Sequence, residues 1–134
     1  MKPKISVVHL GVKDFQLSLK FYRDGLGFIP HDYKEGEDYV MFEMEGSWLG
    51  IFLRDKLAGD AKVDPIGNGF PGFTLSHNAK SREEVDQVWN QAITAGAQPT
   101  KKPEATNWGG YSGYFADPDR YLWEVAYNPF TDLT

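Results

Sequence analysis

Apolar and polar residues in the first half of the chain alternate in a way that predicts a strand, a helix and three more strands. Val8, Leu10 and Val12 share one face of a β-branched segment, Ile5–Val12, which is typical of a strand. Asp14 suits a helix N-cap, and apolar residues then recur at helical spacing until glycines end the stripe. The stripe is Phe15, Leu19, Tyr22 and Leu26, and the later strands are predicted at Gly27–Tyr33, Tyr39–Met44 and Trp48–Leu53.

The second half repeats this order. Ser81 and Glu84 have the spacing of a capping box, in which each side chain satisfies a free backbone donor of the other. A helical stripe follows, and Gly96 ends it. The stripe is Val85, Val88, Trp89, Ala92 and Ile93, and strands are predicted at Gly72–Asn78, Gln98–Lys102, Tyr111–Ala116 and Leu122–Tyr127.

Residues 55–70 separate the two halves and show little periodicity, so we interpret them as a linker. The chain is then a single domain, 1–134, with one βαβββ module at 4–54 and another at 71–128. The predicted fold class is α+β, with two curved half-barrel sheets around a cavity. Since each helix covers one side of its sheet, chemistry is expected on the opposite faces.

Composition narrows the range of functions. The 134 residues hold 14 Lys+Arg and 19 Asp+Glu, and a net charge of -5 argues against a nucleic-acid partner. No cysteine is present, which excludes disulfides and thiolate ligands. No apolar run reaches the roughly 20 residues of a membrane helix, and no signal peptide is visible, so a cytoplasmic protein without a membrane partner is expected. Aromatic residues, at 15%, fill a bulky core or line a ligand cavity.

Two segments carry a recognisable combination of residues. The first is Leu10–Asp14 with Ser18 and Phe21–Phe28, and the second is Tyr114–Val125. Together they resemble the vicinal oxygen chelate superfamily, also called the glyoxalase/bleomycin-resistance/dioxygenase superfamily, and Trp108–Tyr114 looks like an uncharacterised glyoxalase-like subgroup. The resemblance implies a paired βαβββ fold, usually dimeric, whose cavity often holds a divalent metal.

The residues depart from the metal site that this resemblance implies. In metal-using members, His, Gln or Glu ligands come from the first and last strand of each half. The corresponding positions here are Val7, the region of Ile51, Gly72 or Phe73, and Glu124, and only the last is a ligand. Because such metals need about three protein ligands, we expect no bound metal and no cofactor.

Glu124 and His9 are the candidate catalytic residues. Glu124 interrupts an apolar strand, where a carboxylate is costly unless it is paired, so it lies either on an exposed edge or in the cavity as acid, base or substrate anchor. His9 shares a strand face with Val7 and suits ligation or proton transfer, or it is a satisfied structural residue.

Four further residues are candidate ligand-binding residues. Trp108, Tyr111 and Tyr114 alternate with glycines, so their rings either stack on a flat or apolar ligand at a cavity rim, or belong to the core or a dimer contact. Thr74 aligns with His9 between the halves and is expected to face the same cavity.

Three functions follow from these observations. The leading one is a glyoxalase-like protein that binds a small molecule, or a lyase-type enzyme, without the standard metal site. The second is a metal-dependent lyase, isomerase or dioxygenase with a reduced ligand set that includes Glu124. The third is a resistance protein that sequesters an antibiotic or toxin. A homodimer is expected in each case, because open sheet edges need covering.

Overall fold

A computed structural model describes every residue of the chain except Lys2, Lys4 and Gly72. The chain divides into two compact units, Met1–Asn68 and Gly69–Thr134. Within the described residues, each unit contains one four-stranded mixed sheet, and together the units carry three α-helices in an α+β architecture. None of the helices in the described ranges combines the length and apolar character needed to cross a bilayer.

The first unit follows the predicted order. Its sheet runs β1-β4-β3-β2, with β1 parallel to β4 and the other neighbours antiparallel. The Asp14 side chain accepts a hydrogen bond from the Leu17 N–H at 3.0 Å, which confirms the predicted cap. The elements are β1 (Val7–Val12), α1 (Phe15–Leu19) continuing into a π-helical segment (Lys20–Gly25), β2 (Ile29–His31), β3 (Tyr39–Glu43), β4 (Trp48–Leu53) and α2 (Arg54–Ala61).

The helix formed by α1 and the π-helical segment packs on one face of the sheet. That face presents fully buried side chains to Tyr22, whose ring lies 6.0 Å from the ring of Phe42. The opposite face, which we call the first far face, carries alternate residues of β1. Buried residues of the packed face are Leu10, Val12, Val40, Phe42, Leu49 and Ile51, whereas Val7, His9 and Gly11 belong to the first far face.

The second unit repeats this topology. Its sheet runs β5-β8-β7-β6, and β5 is parallel to β8 as β1 is to β4. The helix α3 covers Trp123, Val125 and Phe115, and the face turned away from α3 is called the second far face. The elements are β5 (Leu75–Asn78), α3 (Arg82–Thr94), β6 (Gln98–Ala105), β7 (Tyr111–Ala116) and β8 (Leu122–Tyr127).

The cap of α3 differs in one detail from the predicted capping box. Ser81 Oγ accepts from the Glu84 N–H at 3.2 Å, as expected. The Glu84 carboxylate, however, accepts from the N–H of Lys80 at 2.6 Å and not from that of Ser81. Lys80 precedes the cap, so the glutamate ties down the approach to the helix.

Residues 55–70 contain structure that the sequence did not predict. They include most of α2, in which Ala58 is the buried residue. A helix without an apolar stripe leaves no periodic signal, which is why it was missed. It ends at Lys62 in a left-handed conformation, φ 57°, and the Val63 N–H closes the turn onto the carbonyl of Ala58.

Several predicted strand ends also moved. The predicted Gly27–Tyr33 shortens to β2, and Asp32 follows it at φ 50°. The predicted Gln98–Lys102 lengthens to β6, whose pairing with β7 shifts register twice. The predicted Gly72–Asn78 begins at Leu75, and Gly72 lies outside the described residues.

Candidate functional site

Glu124 lies on the second far face, in the middle of its sheet. It alternates along β8 with Trp123 and Val125, which are buried against α3. Strand register places it between Ser76 on β5 and Tyr114 on β7, and Tyr114 in turn pairs with Lys101 on β6. Glu124 is only half-buried, so its carboxylate is partly open to solvent.

A hydroxyl group holds the Glu124 carboxylate. Ser76 Oγ donates to Glu124 Oε2 at 3.1 Å, and Tyr114 is the β7 residue paired with Glu124. Burial and the neighbouring Glu124 carboxylate raise the pKa of Tyr114 above its ordinary value, so the phenol keeps its proton at neutral pH. A carboxylate has about four acceptor positions, and one hydroxyl donor therefore leaves capacity for a bound molecule.

His9 lies on the first far face, in the other unit. It is exposed, and its ring centroid lies 6.2 Å from that of Tyr39 and 6.4 Å from that of Phe52. The imidazole lies over Gly50, where an added Cβ would come within 2.5 Å of His9 Cδ2. His9 therefore has an aromatic environment, whereas Glu124 accepts a hydrogen bond from Ser76 and lies beside Tyr114.

The predicted aromatic set divides between the two faces of the second sheet. Residues an odd number apart on a strand point to opposite faces, so Tyr111 lies on the side of α3 and Tyr114 on the second far face. The Tyr111 hydroxyl donates to Asp86 Oδ1 at 3.0 Å, and the Arg82 guanidinium lies 5.6 Å above its ring. Burial and the Asp86 carboxylate raise the pKa of Tyr111.

Trp108 and Thr74 lie outside the strands. Trp108 is in the turn before β7, 46% exposed, and its indole covers Gly110 so closely that a Cβ there would lie 1.9 Å from Cη2. Thr74 is exposed just before β5. Sheet register makes Ser76, not Thr74, the counterpart of His9. His9 on β1 pairs with Gly50, the third residue of β4, and Ser76 on β5 pairs with Glu124, the third residue of β8.

Sequence reasoning did not identify Ser76 as a partner of Glu124. The two residues are 48 positions apart and meet only through the parallel pairing of β5 with β8. The sequence did carry one indication of this pairing. Ser76 alternates with apolar Leu75, as Glu124 alternates with apolar Trp123, so both polar side chains are expected on the face turned away from the core.

Comparison with known proteins assigns the family. The model of the Glyoxalase/Bleomycin resistance protein/Dioxygenase superfamily matches residues 4–125. The chain belongs to this superfamily. The two motifs at Leu10–Phe28 and Tyr114–Val125 lie within the match, so the resemblance predicted from them is confirmed.

Relatives within the superfamily share most of the chain. An uncharacterised protein, YraH of Bacillus subtilis (strain 168), is 28% identical over 127 residues, which cover 91% of this chain and 96% of YraH. The crystal structure of a glyoxalase-related enzyme from Fulvimarina pelagi matches with a TM-score of 0.88 and 30% identity, over 98% of this chain and 93% of that one. Lactoylglutathione lyase from Agrobacterium tumefaciens shares the fold, with a TM-score of 0.71, 22% identity and 96% coverage of each chain.

The side chains present do not fit the superfamily's metal site. Val7 is half-buried and apolar, Ile51 is fully buried on the packed face, and Phe73 is exposed, while Gly72 lies outside the described residues. Gly50, which holds on β4 the position that Glu124 holds on β8, has no side chain to offer. Among the residues with described coordinates, no three His, Cys, Asp or Glu side chains lie close enough to hold an ion together.

Proposed function

We propose that this glyoxalase-like protein binds a small oxygenated organic molecule on the second far face, with Glu124 as its polar anchor and without the standard metal site. The observation that carries this proposal is a half-buried, mid-sheet carboxylate that accepts a hydrogen bond from Ser76 and lies beside Tyr114. Ser76 fixes the orientation of the Glu124 carboxylate, and its remaining acceptor positions suit the hydroxyl group of a ligand.

The same arrangement supports lyase or isomerase chemistry. Glu124 would accept a proton from the carbon next to a substrate carbonyl and return it to the neighbouring carbon or oxygen, so the reaction involves no net oxidation or reduction. The Tyr114 phenol remains protonated because its pKa is raised, and it can therefore share its proton with Glu124 or with a substrate oxygen. Ser76 positions the carboxylate throughout.

Glu124→Gln tests the proposal because it keeps the shape and removes the charge. We expect saturation-transfer NMR to detect hydroxyacetone and dihydroxyacetone on the wild-type protein and not on the variant. The free energy of unfolding should change by less than about 1 kcal/mol, since the glutamine oxygen still accepts a hydroxyl hydrogen bond and no half-buried charge remains. Glu45→Gln, in an exposed turn of the first unit, is the matched control.

Two results would contradict the proposal. Binding of both probes by Glu124→Gln at the wild-type level would show that the carboxylate is not the anchor. A loss of about 3 kcal/mol or more in unfolding free energy would instead identify Glu124 as a structural charge.

Proton exchange distinguishes binding from catalysis. In D₂O, an enzyme of this class should exchange the hydrogen on the carbon beside the carbonyl of dihydroxyacetone, and ¹H NMR would record the loss of that signal. Exchange that Glu124→Gln abolishes supports a lyase or isomerase, whereas binding without exchange supports a binding protein.

We also propose a cytoplasmic homodimer that has a small molecule, and neither nucleic acid nor a membrane, as its ligand. The sheets end on β1, β2, β5 and β6, and exposed strand edges favour pairing with a second copy. Sedimentation equilibrium should give twice the 15.2 kDa of the chain. A 15.2 kDa species at every concentration would contradict the homodimer.

A further inference from the structure

The second far face carries a row of polar residues that reaches the last strand of its sheet. Ser76 on β5 pairs with Glu124 on β8. Glu124 pairs with Tyr114 on β7, and Tyr114 pairs with Lys101 on β6. Because residues directly opposite each other on paired strands share a face, this face presents in turn a hydroxyl, a carboxylate, a phenol and an ammonium group.

Two irregularities in β6 place a second charged residue beside Lys101. The pairing with β7 shifts register between Pro99 and Lys101 and again between Lys101 and Glu104. Residues three apart on a regular strand point to opposite faces, but here Glu104 pairs with Ser112, which shares the second far face with Tyr114. Bulges of this kind redirect side chains and are common beside active sites.

The Lys101 ammonium is held on this face by an exposed ion pair. Its Nζ lies 3.3 Å from Glu104 Oε1, and the two side chains keep 40% and 65% of their exposure. Such a pair contributes little to stability, because water solvates both charges. Lys101 can therefore exchange Glu104 for the anionic group of a ligand.

The spacing of the strands sets the length of a ligand that reaches both Glu124 and Lys101. Neighbouring strands lie about 4.8 Å apart, so these two residues, with β7 between them, are separated by about 10 Å. A three-carbon chain with an oxygen at each end is roughly 5 Å long, given bonds of about 1.5 Å. With a hydrogen bond of about 2.8 Å at each end, such a molecule bridges the two side chains.

We propose that the ligand of the second far face is a small hydroxyketone that carries a carboxylate, with its hydroxyl group on Glu124 and its carboxylate on Lys101. This inference rests on the proposed function, in which Glu124 is the polar anchor, and it adds the charge of the substrate class. Lys101 then selects hydroxy keto acids over neutral hydroxyketones, because an ammonium group binds a carboxylate more strongly than it binds a hydroxyl group.

The experiment compares hydroxypyruvate with dihydroxyacetone, which has the same three-carbon chain and a hydroxymethyl group in place of the carboxylate. NMR titration should show that the wild-type protein prefers hydroxypyruvate by about tenfold, the effect of one charge-assisted contact. Lys101→Gln should lose this preference and still bind dihydroxyacetone. Lys101→Arg keeps the charge and should keep the preference.

Two further variants test the ion pair and the neighbouring charge. Glu104→Gln frees the ammonium group and should tighten hydroxypyruvate by about threefold, with no change for dihydroxyacetone. Lys102→Gln, the same substitution at the adjacent exposed lysine, should leave both affinities at the wild-type level.

Failure of this inference differs from failure of the proposed function. A wild-type protein without the preference, or a folded Lys101→Gln that keeps it, overturns the role of Lys101, even where binding of dihydroxyacetone still depends on Glu124. A loss of preference in Lys102→Gln equal to that in Lys101→Gln would assign the effect to the charge of the whole strand, which also overturns that role. Binding of dihydroxyacetone by Glu124→Gln at the wild-type level would instead contradict the proposed function.

Discussion

Equivalent positions of the two modules carry different chemistry. Counted from the first residue of each strand, Glu124 on β8 corresponds to Gly50 on β4. The neighbours agree, since Gly50 lies between His9 and Met41, and Glu124 between Ser76 and Tyr114. At this position the second module has the carboxylate of Glu124, beside Ser76 and Tyr114. The first module has Gly50, which the His9 imidazole covers. The repeat therefore preserves backbone geometry while the side chains of the two far faces have diverged.

Tyr114 gives a prediction about alkaline pH at the scale of one residue. Its folded pKa is raised above the ordinary 10.0, foremost by burial and then by Glu124. The resulting stabilisation is complete below pH 10.0 and is lost as pH rises through the folded pKa, because the unfolded state gives up its proton first. We expect the free energy of unfolding to fall less with rising pH in Tyr114→Phe than in the wild-type protein over this alkaline range. Urea unfolding at a series of pH values measures it.

Glu124→Gln provides the complementary measurement for Tyr114. Removing the carboxylate removes one cause of the raised pKa, so the phenolate absorbance of Tyr114 should develop at lower pH than in wild type. An unchanged tyrosine titration would contradict the influence of Glu124 on the pKa of Tyr114.

Strong local signals at the scale of elements were correctly predicted from the sequence. The strands β4, β7 and β8 begin and end at the predicted residues, and Asp14 and Ser81 cap their helices. The π-helical turn at Lys20–Gly25 was not predicted, because the apolar stripe continues through it and periodicity alone does not distinguish the two helix types. The helix α2 was missed for the opposite reason, since it lacks an apolar stripe.

Ser81→Ala tests the cap of α3. Its Oγ accepts from the Glu84 N–H, and the loss of this bond should lower the free energy of unfolding by about 1 kcal/mol. Ser81→Asn retains a capping acceptor and should restore most of that stability. Chemical denaturation measures both variants, and equal stability of Ser81→Ala and wild type would show that the cap contributes nothing.

The candidate site was only partly predictable from the sequence. Strand parity and a costly mid-strand charge indicated Glu124 as a candidate residue. Its partner Ser76 lies 48 residues away along the chain and meets Glu124 only through the register between β5 and β8. No local sequence pattern reveals that register. Alternation of side chains along β7 separates Tyr111 from Tyr114, although their spacing beside glycines had grouped them. The proposed roles of all the candidate residues stay predictions, and these residues are Glu124, His9, Thr74, Trp108, Tyr111 and Tyr114.

Metal content is the last prediction, and it concerns the complete chain. The superfamily's ligand positions fall on Val7, near Ile51, on Gly72 or Phe73, and on Glu124, so one carboxylate replaces a set of about three ligands. Metal binding to the native state would stabilise it by mass action, and removing that metal would lower the unfolding midpoint. We therefore expect elemental analysis of the purified protein to find no stoichiometric Zn, Ni, Mn or Fe, and EDTA to leave thermal unfolding unchanged. About one metal ion per chain, lost in Glu124→Ala, would instead support a metalloenzyme with a reduced ligand set.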